Sequence, residues 1–245
     1  PTKDEIATAR KQFVKKIGEM SDSEYLHRLV DSELANNFRN KSIHYEWGKG
    51  TVYADPPDKL LKDTGDQAYQ MIADIAPYMQ AAEKELIIFS PYFVPGKAGV
   101  AFLKGIREKG VRVRILTNSL ASNDVAIVHA GYSRYREDLL RAGVELHELN
   151  KITPKAERKA VKSGRIGSSK SSLHAKSFVM DRKKIFVGSL NLDPRSVVQN
   201  TEIGVVFEST AISTKVAQSF DQHIENAAFR LELAEDKYGR EQLLW

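Results

Sequence analysis

Apolar and polar positions change their period several times along the chain, and the changes divide it into elements. Across residues 3–39, Phe13, Ile17, Tyr25, Leu29 and Leu34 fall at helical spacing. They predict two amphipathic helices broken near Gly18–Ser23, with Ser21 or Ser23 as the cap. Ile43, Tyr45, Val52 and Tyr53 around Gly48-Lys49-Gly50 predict extended chain, which Pro56-Pro57 stops. Alternation of helix and strand follows. Helices are predicted at Asp66–Ala82, Gly99–Lys109 and Asp124–Ala142, and strands at Glu85–Ser90, Val111–Thr117 and Val144–Glu148. The pattern stops at Asn150. Residues 151–172 are polar and aperiodic and predict a long mobile loop. Strands at Leu173–Met180 and Ile185–Val187 flank the tight turn Asp181–Lys184, and a strand at Ile203–Phe207 leads to a final helix at Ala211–Ala234.

Strands alternating with helices through short turns (Lys109-Gly110, Ala142-Gly143) imply right-handed β-α-β units on a largely parallel sheet. The expected class is α/β, a single α/β/α sandwich with a mixed β-sheet. A helical segment at 1–40 precedes a domain at 41–245.

Composition narrows the chemistry. With 245 residues and no cysteine, a substantial core is possible, and disulfides, thiol nucleophiles and cysteine-metal sites are excluded. No apolar run approaches the roughly 18–20 residues of a membrane-spanning helix. The net charge is +5, but Lys151–Lys184 alone carries 11 Lys/Arg against two acids, a local +9 on a body of −4. A basic segment on a mildly acidic body suits a phosphate-rich partner, whether nucleic acid, anionic lipid headgroup or nucleotide.

The stretch Leu173-His174-Ala175-Lys176-Ser177-Phe178-Val179-Met180-Asp181 carries the sharpest signal. On a strand, His174 and Lys176 share a face, setting an imidazole beside a fixed cation, an arrangement suited to an anionic phosphate. Gly188-Ser189-Leu190-Asn191 adds hydroxyl and amide groups suited to non-bridging phosphate oxygens. Glu202, next to a strand, is placed to take the second ring nitrogen of His174 and fix its tautomer.

The spacing His174-x-Lys176-x4-Asp181-x6-Gly188-Ser189-x-Asn191 resembles the signature of the phospholipase D superfamily. The resemblance extends over about residues 45–230, through Ser90–Gly96, Gly110–Leu116, Leu139–Val144 and Asn200-Thr201-Glu202. It is similar to the C-terminal half of the bacterial cardiolipin synthases, and Ala130–Tyr135 is similar to their C type. The resemblance implies a phosphohistidine intermediate formed by one motif histidine, with the histidine of a second motif as acid and base. His174 would be the acid/base, Lys176, Ser189 and Asn191 would hold phosphate oxygens, Glu202 would orient His174, and Asp181 would support the site without transferring protons. Neither cofactor nor metal is implied.

The family builds one site from two such motifs, in one chain or across a homodimer, and this sequence holds one. The expected partner is therefore either a missing N-terminal half, which Pro1 and the end at Trp245 favour, or a second copy. Anionic phospholipid substrates and a peripheral place at the bacterial inner membrane are also implied. Two alternatives stay open: a homodimeric nuclease acting on nucleic acid, and an inactive half that binds anionic ligands. Among smaller signals, Tyr92 and Phe93 divide evenly between substrate stacking and core, and His129 reads as an ordinary helix histidine.

Overall fold

A computed structural model describes residues 2–21, 30–43, 45–61, 70–123, 125–150 and 172–245. The chain forms two compact units, residues 1–46 and 47–245. The first contains α1 (Lys3–Ser21) and α2 (Glu33–Arg39). The cap of α2 is Ser32, whose Oγ accepts the Ala35 N–H at 3.1 Å; the expected start of a helix after Ser21 or Ser23 falls on residues outside those described. Phe13, Ile17 and Leu34 are all exposed. Tyr25, Leu29, the start of the helix expected at Asp66, Asp124 and the basic stretch at 151–171 lie outside the described residues.

Among the described residues, the second unit is built on nine strands: β1 (Lys49–Ala54), β2 (Glu85–Phe89), β3 (Arg112–Asn118), β4 (Glu145–Leu149), β5 (Ser177–Met180), β6 (Lys184–Gly188), β7 (Ile203–Glu208), β8 (Ala228–Glu235) and β9 (Glu241–Leu244). Their spatial order is β1-β7-β6-β5-β2-β3-β4-β8-β9. Pairings β2–β3 and β3–β4 are parallel and the others antiparallel. The helices are α3 (Met71–Gln80), α4 (Gly96–Glu108), α5 (Ala126–Ser133), α6 (Arg136–Arg141), α7 (Pro194–Val198) and α8 (Thr210–Ala227).

Side-chain alternation divides the core between the two faces. Leu86, Ile88, Phe178 and Met180 pack with Ile75, Met79, Leu103 and Ile106 on the α3/α4 face. Ile87 and Val179 point the other way, against Ala217, Phe220 and Ile224 of α8. The expected α/β class and mixed sheet are present, with helices on both faces of the sheet.

The sheet is mainly antiparallel rather than largely parallel as the helix–strand alternation implied, and α7 and β9 stand where neither helix nor strand was expected. Two expected helices also differ. The helix expected through Ala142 is two helices, with Arg134 and Tyr135 between them. The final helix ends at Ala227, and 228–235 is strand. Ala228 is already extended (φ −141°, ψ 155°), and Leu231 is buried opposite Leu146 of β4. Pairing with the open edge of β4 outweighs a sequence without Gly or Pro to stop the helix.

Candidate active site

The carboxyl ends of β2, β3 and β4 lie along one edge of the sheet, and the antiparallel strands β5, β6, β7 and β1 bring further chain ends to it. Ser177 pairs with Phe89, Val187 with Ser177, Gly204 with Gly188, and Ala54 with Ile203. This edge, where β2 has a parallel neighbour on one side and an antiparallel one on the other, is where open α/β sheets characteristically hold ligands. His174, Lys176, Ser189 and Glu202 belong to segments that end there.

His174 and Lys176 precede β5 rather than lying within it, because β2 ends at Phe89 and its chain turns away at Ser90. Three interactions hold this leader. The Leu173 N–H donates to Asn118 Oδ1 at 2.9 Å, Asn118 Nδ2 donates to Leu173 O at 3.2 Å, and the Gly188 N–H donates to Lys176 O at 3.2 Å. Asn118, 1% exposed at the end of β3, thus replaces a missing strand partner beside His174. Lys176 Nζ donates to His174 O at 3.0 Å, and the His174 side chain is solvent-exposed.

Glu202 does not take up the His174 ring. Its buried carboxylate accepts the Ser189 hydroxyl, and Asn200 Nδ2 donates to it at 3.2 Å. Ser189 also accepts the Ile203 N–H at 3.0 Å, so its hydroxyl is held between two segments. Asn191 is 7% exposed, and its Oδ1 is buried without a partner. A buried acceptor without a donor costs about 1–3 kcal/mol; Oδ1 can take a donor such as water, whereas a phosphate oxygen would need the Nδ2 donor of the same amide.

Gly188 is required by close packing. A Cβ there would stand 2.5 Å from Ile203 O and 2.8 Å from the Phe186 ring, which stacks on Phe178 at 4.9 Å.

Asp181 lies at the other end of β5, in the turn to β6, with φ +52°. Its carboxylate accepts the N–H groups of Glu83 (2.9 Å), Lys84 (2.8 Å) and Glu85 (2.9 Å), where β2 begins. Partial burial alone would raise its pKa; the three backbone donors outweigh that and hold it below the usual carboxylate range. Of the motif residues, it is the one the fold sets apart from the others. Its neighbour Arg182 does not pair with it but donates to Glu85 at 2.9 Å and Asp221 at 2.7 Å.

Sequence reading missed Asn118 and a buried pair beneath Glu202. Lys59 Nζ lies 2.7 Å from Asp55 Oδ2 and donates to Asn200 O at 2.7 Å, while Asp55 accepts the N–H groups of Met71 and Glu202 at 2.6 and 2.9 Å. Only the Asp55…Lys59 spacing hinted at it. Phe93 resolves to core, 1% exposed and bridged through its backbone to Leu192; Tyr92 is half-buried. His129 is buried against Arg136, and burial, then that guanidinium, lowers its pKa. Among the described residues no cluster of three or more His, Asp or Glu could hold a metal ion, and no helix is long and apolar enough to cross a membrane.

This arrangement, a mixed sheet with an exposed histidine and a lysine beside polar groups at one edge, defines a phospholipase D-like domain. Residues 75–224 match the family model described as cardiolipin synthase, PLD-like domain, and the chain belongs to that family. It is similar to cardiolipin synthase C of Escherichia coli, 42% identical over 218 residues, covering 88% of this chain and 45% of that protein. The chain spans less than half the length of the curated relatives it matches. The fold is shared with the phospholipase D family member Nuc from Salmonella typhimurium (TM-score 0.53, 13% identity, 76% of this chain and 99% of that one). NucT from Helicobacter pylori is comparable (TM-score 0.52, 16% identity, 74% and 98%).

Proposed function

We propose that this chain supplies one half of a phosphatidyl-transfer site that makes cardiolipin from phosphatidylglycerol and a second phospholipid. The observation that carries the reading is the gathering of the segments bearing His174, Lys176, Ser189 and Glu202 at one sheet edge, with Asn191 two residues on and only one histidine–lysine pair among them. The similarity to cardiolipin synthases supports the substrate class.

In the first step, a histidine nitrogen from a second motif attacks phosphorus. The phosphorus–oxygen bond to the headgroup alcohol breaks, and His174 gives that oxygen its proton. In the second, His174 takes the proton of the incoming alcohol, whose oxygen attacks phosphorus as the phosphorus–nitrogen bond breaks. Lys176 and the Asn191 amide stabilise charge growing on the equatorial oxygens, and Ser189 contributes once its hydroxyl turns from Glu202. Glu202 then becomes free to orient His174. Asp55 and Lys59 fix the chain on either side of Glu202, and Asp181 acts through the fold. The second motif comes from another segment of the same protein or from a second copy, and the lipid substrates place the site peripherally at a bacterial membrane.

The test is to assay the purified chain with phosphatidylglycerol and phosphatidylethanolamine in mixed micelles while monitoring its mass. A strictly monomeric sample is expected to form no cardiolipin. Robust turnover by the monomer would overturn the half-site reading.

A further inference from the structure

A cavity of about 360 Å³ lies between α3, α4 and the segment leading from Leu192 into α7. Its walls are almost wholly apolar and include Ile72 and Ala76 of α3, Phe102 of α4, and Val94, Leu192 and Val197. Among the described residues, no lysine, arginine or histidine lines it. Among the described lining residues the one carboxylate is Asp193, which is engaged in capping α7, accepting the N–H groups of Arg195 at 2.9 Å and Ser196 at 3.2 Å. An ion entering would lose its hydration with no countercharge to replace it, so these walls suit an uncharged aliphatic ligand.

The cavity wall is linked to the edge bearing the motif residues through the backbone. Leu192 directly follows Asn191, and its backbone is fixed there. The Leu192 N–H donates to Ser90 Oγ at 3.0 Å, and Leu192 O accepts the Val94 N–H at 2.8 Å. Asn191 and the wall residue Leu192 are thus neighbours in the chain, about 3.8 Å apart between Cα atoms.

We propose that this cavity receives an acyl chain of the phospholipid whose phosphate is held at Asn191. The proposal rests on the phosphate-transfer reading given above and adds a site for the lipid tail. Each methylene that enters should strengthen binding about fourfold, from about 0.8 kcal/mol per buried CH₂.

The experiment uses vesicles of phosphatidylcholine containing phosphatidylglycerol with a diazirine at the end of one acyl chain. After illumination with the purified chain, adducts are mapped by mass spectrometry. Adducts are expected on Ile72, Ala76 and Phe102, and should fall at least tenfold in Ala76→Trp, which fills the cavity. Ala98→Trp, on the α4 wall, gives a second filled variant should the first fail to fold, and thermal melting checks both. Wall adducts that are absent from the wild type, or undiminished in a folded filled variant, would overturn the tail site. Wall adducts that keep their full yield in Asn191→Ala would instead overturn the phosphate reading while leaving an aliphatic site in place.

Discussion

Replacing Asp181 with alanine tests whether this motif residue acts through the fold. The change removes a carboxylate that accepts three backbone N–H groups from Glu83, Lys84 and Glu85. The first two donors are exposed and can turn to water, so each costs a few tenths of a kcal/mol. The Glu85 donor is partly buried and should cost about 1–1.5 kcal/mol. Alanine must also hold φ +52°, where aspartate is better tolerated, for about 1 kcal/mol more. The total is about 2–3 kcal/mol, or roughly 4–12 °C of melting temperature for a domain of this size.

The pH dependence has a definite sign. The folded-state pKa of Asp181 lies below its unfolded value, so its contribution is complete above about pH 4 and is lost as pH falls toward the folded pKa. Melting of wild type and Asp181→Ala, followed by circular dichroism from pH 7 to pH 3, should give a gap that narrows below about pH 4 toward the part due to the backbone conformation. A melting temperature within 1 °C of wild type at pH 7, or a gap that stays constant to pH 3, would refute the assignment.

Two further substitutions probe the sheet edge. Asn118→Ala strips the Leu173 N–H of its acceptor, at about 2 kcal/mol of local stability, so hydrogen exchange at that amide should quicken about 30-fold; an unchanged rate would remove Asn118 from its positioning role. Gly188→Ala drives a methyl against Ile203 O and the Phe186 ring, and should lower the melting temperature by at least 5 °C or prevent folding, whereas a wild-type melt would mean that the strands separate there without cost.

What was legible in the sequence follows what is local. Glu85–Phe89 and Arg112–Asn118 announce themselves because a short apolar run bounded by turn signals is how a doubly covered strand reads. The switch at Ala228 was hidden, since nothing breaks the helix and the alternation of Phe229, Leu231 and Leu233 counts only beside the open edge of β4. The motif spacing identified the residues but not their geometry. Seven residues of mostly extended chain, at about 3.3 Å each, already separate Asp181 from His174 by roughly 20 Å, and that arithmetic could have foreseen its structural role. The Asn118 clamp joins residues 55 apart in the chain, and the Glu202–Ser189 bond closes the 13-residue span between β6 and β7, neither of which the motif spacing reveals.

The central claim, that His174 is a catalytic histidine of phosphatidyl transfer, is tested most directly in cells. The complete reading frame that encodes this chain would be expressed in a bacterium lacking its own cardiolipin synthases, and cardiolipin measured by lipid mass spectrometry. The wild-type frame should restore cardiolipin. The same frame carrying His174→Asn, at equal protein level, should lower the rate of synthesis by about 10²–10⁴-fold, the usual worth of a positioned acid and base. Cardiolipin made at the wild-type rate by His174→Asn would contradict the account.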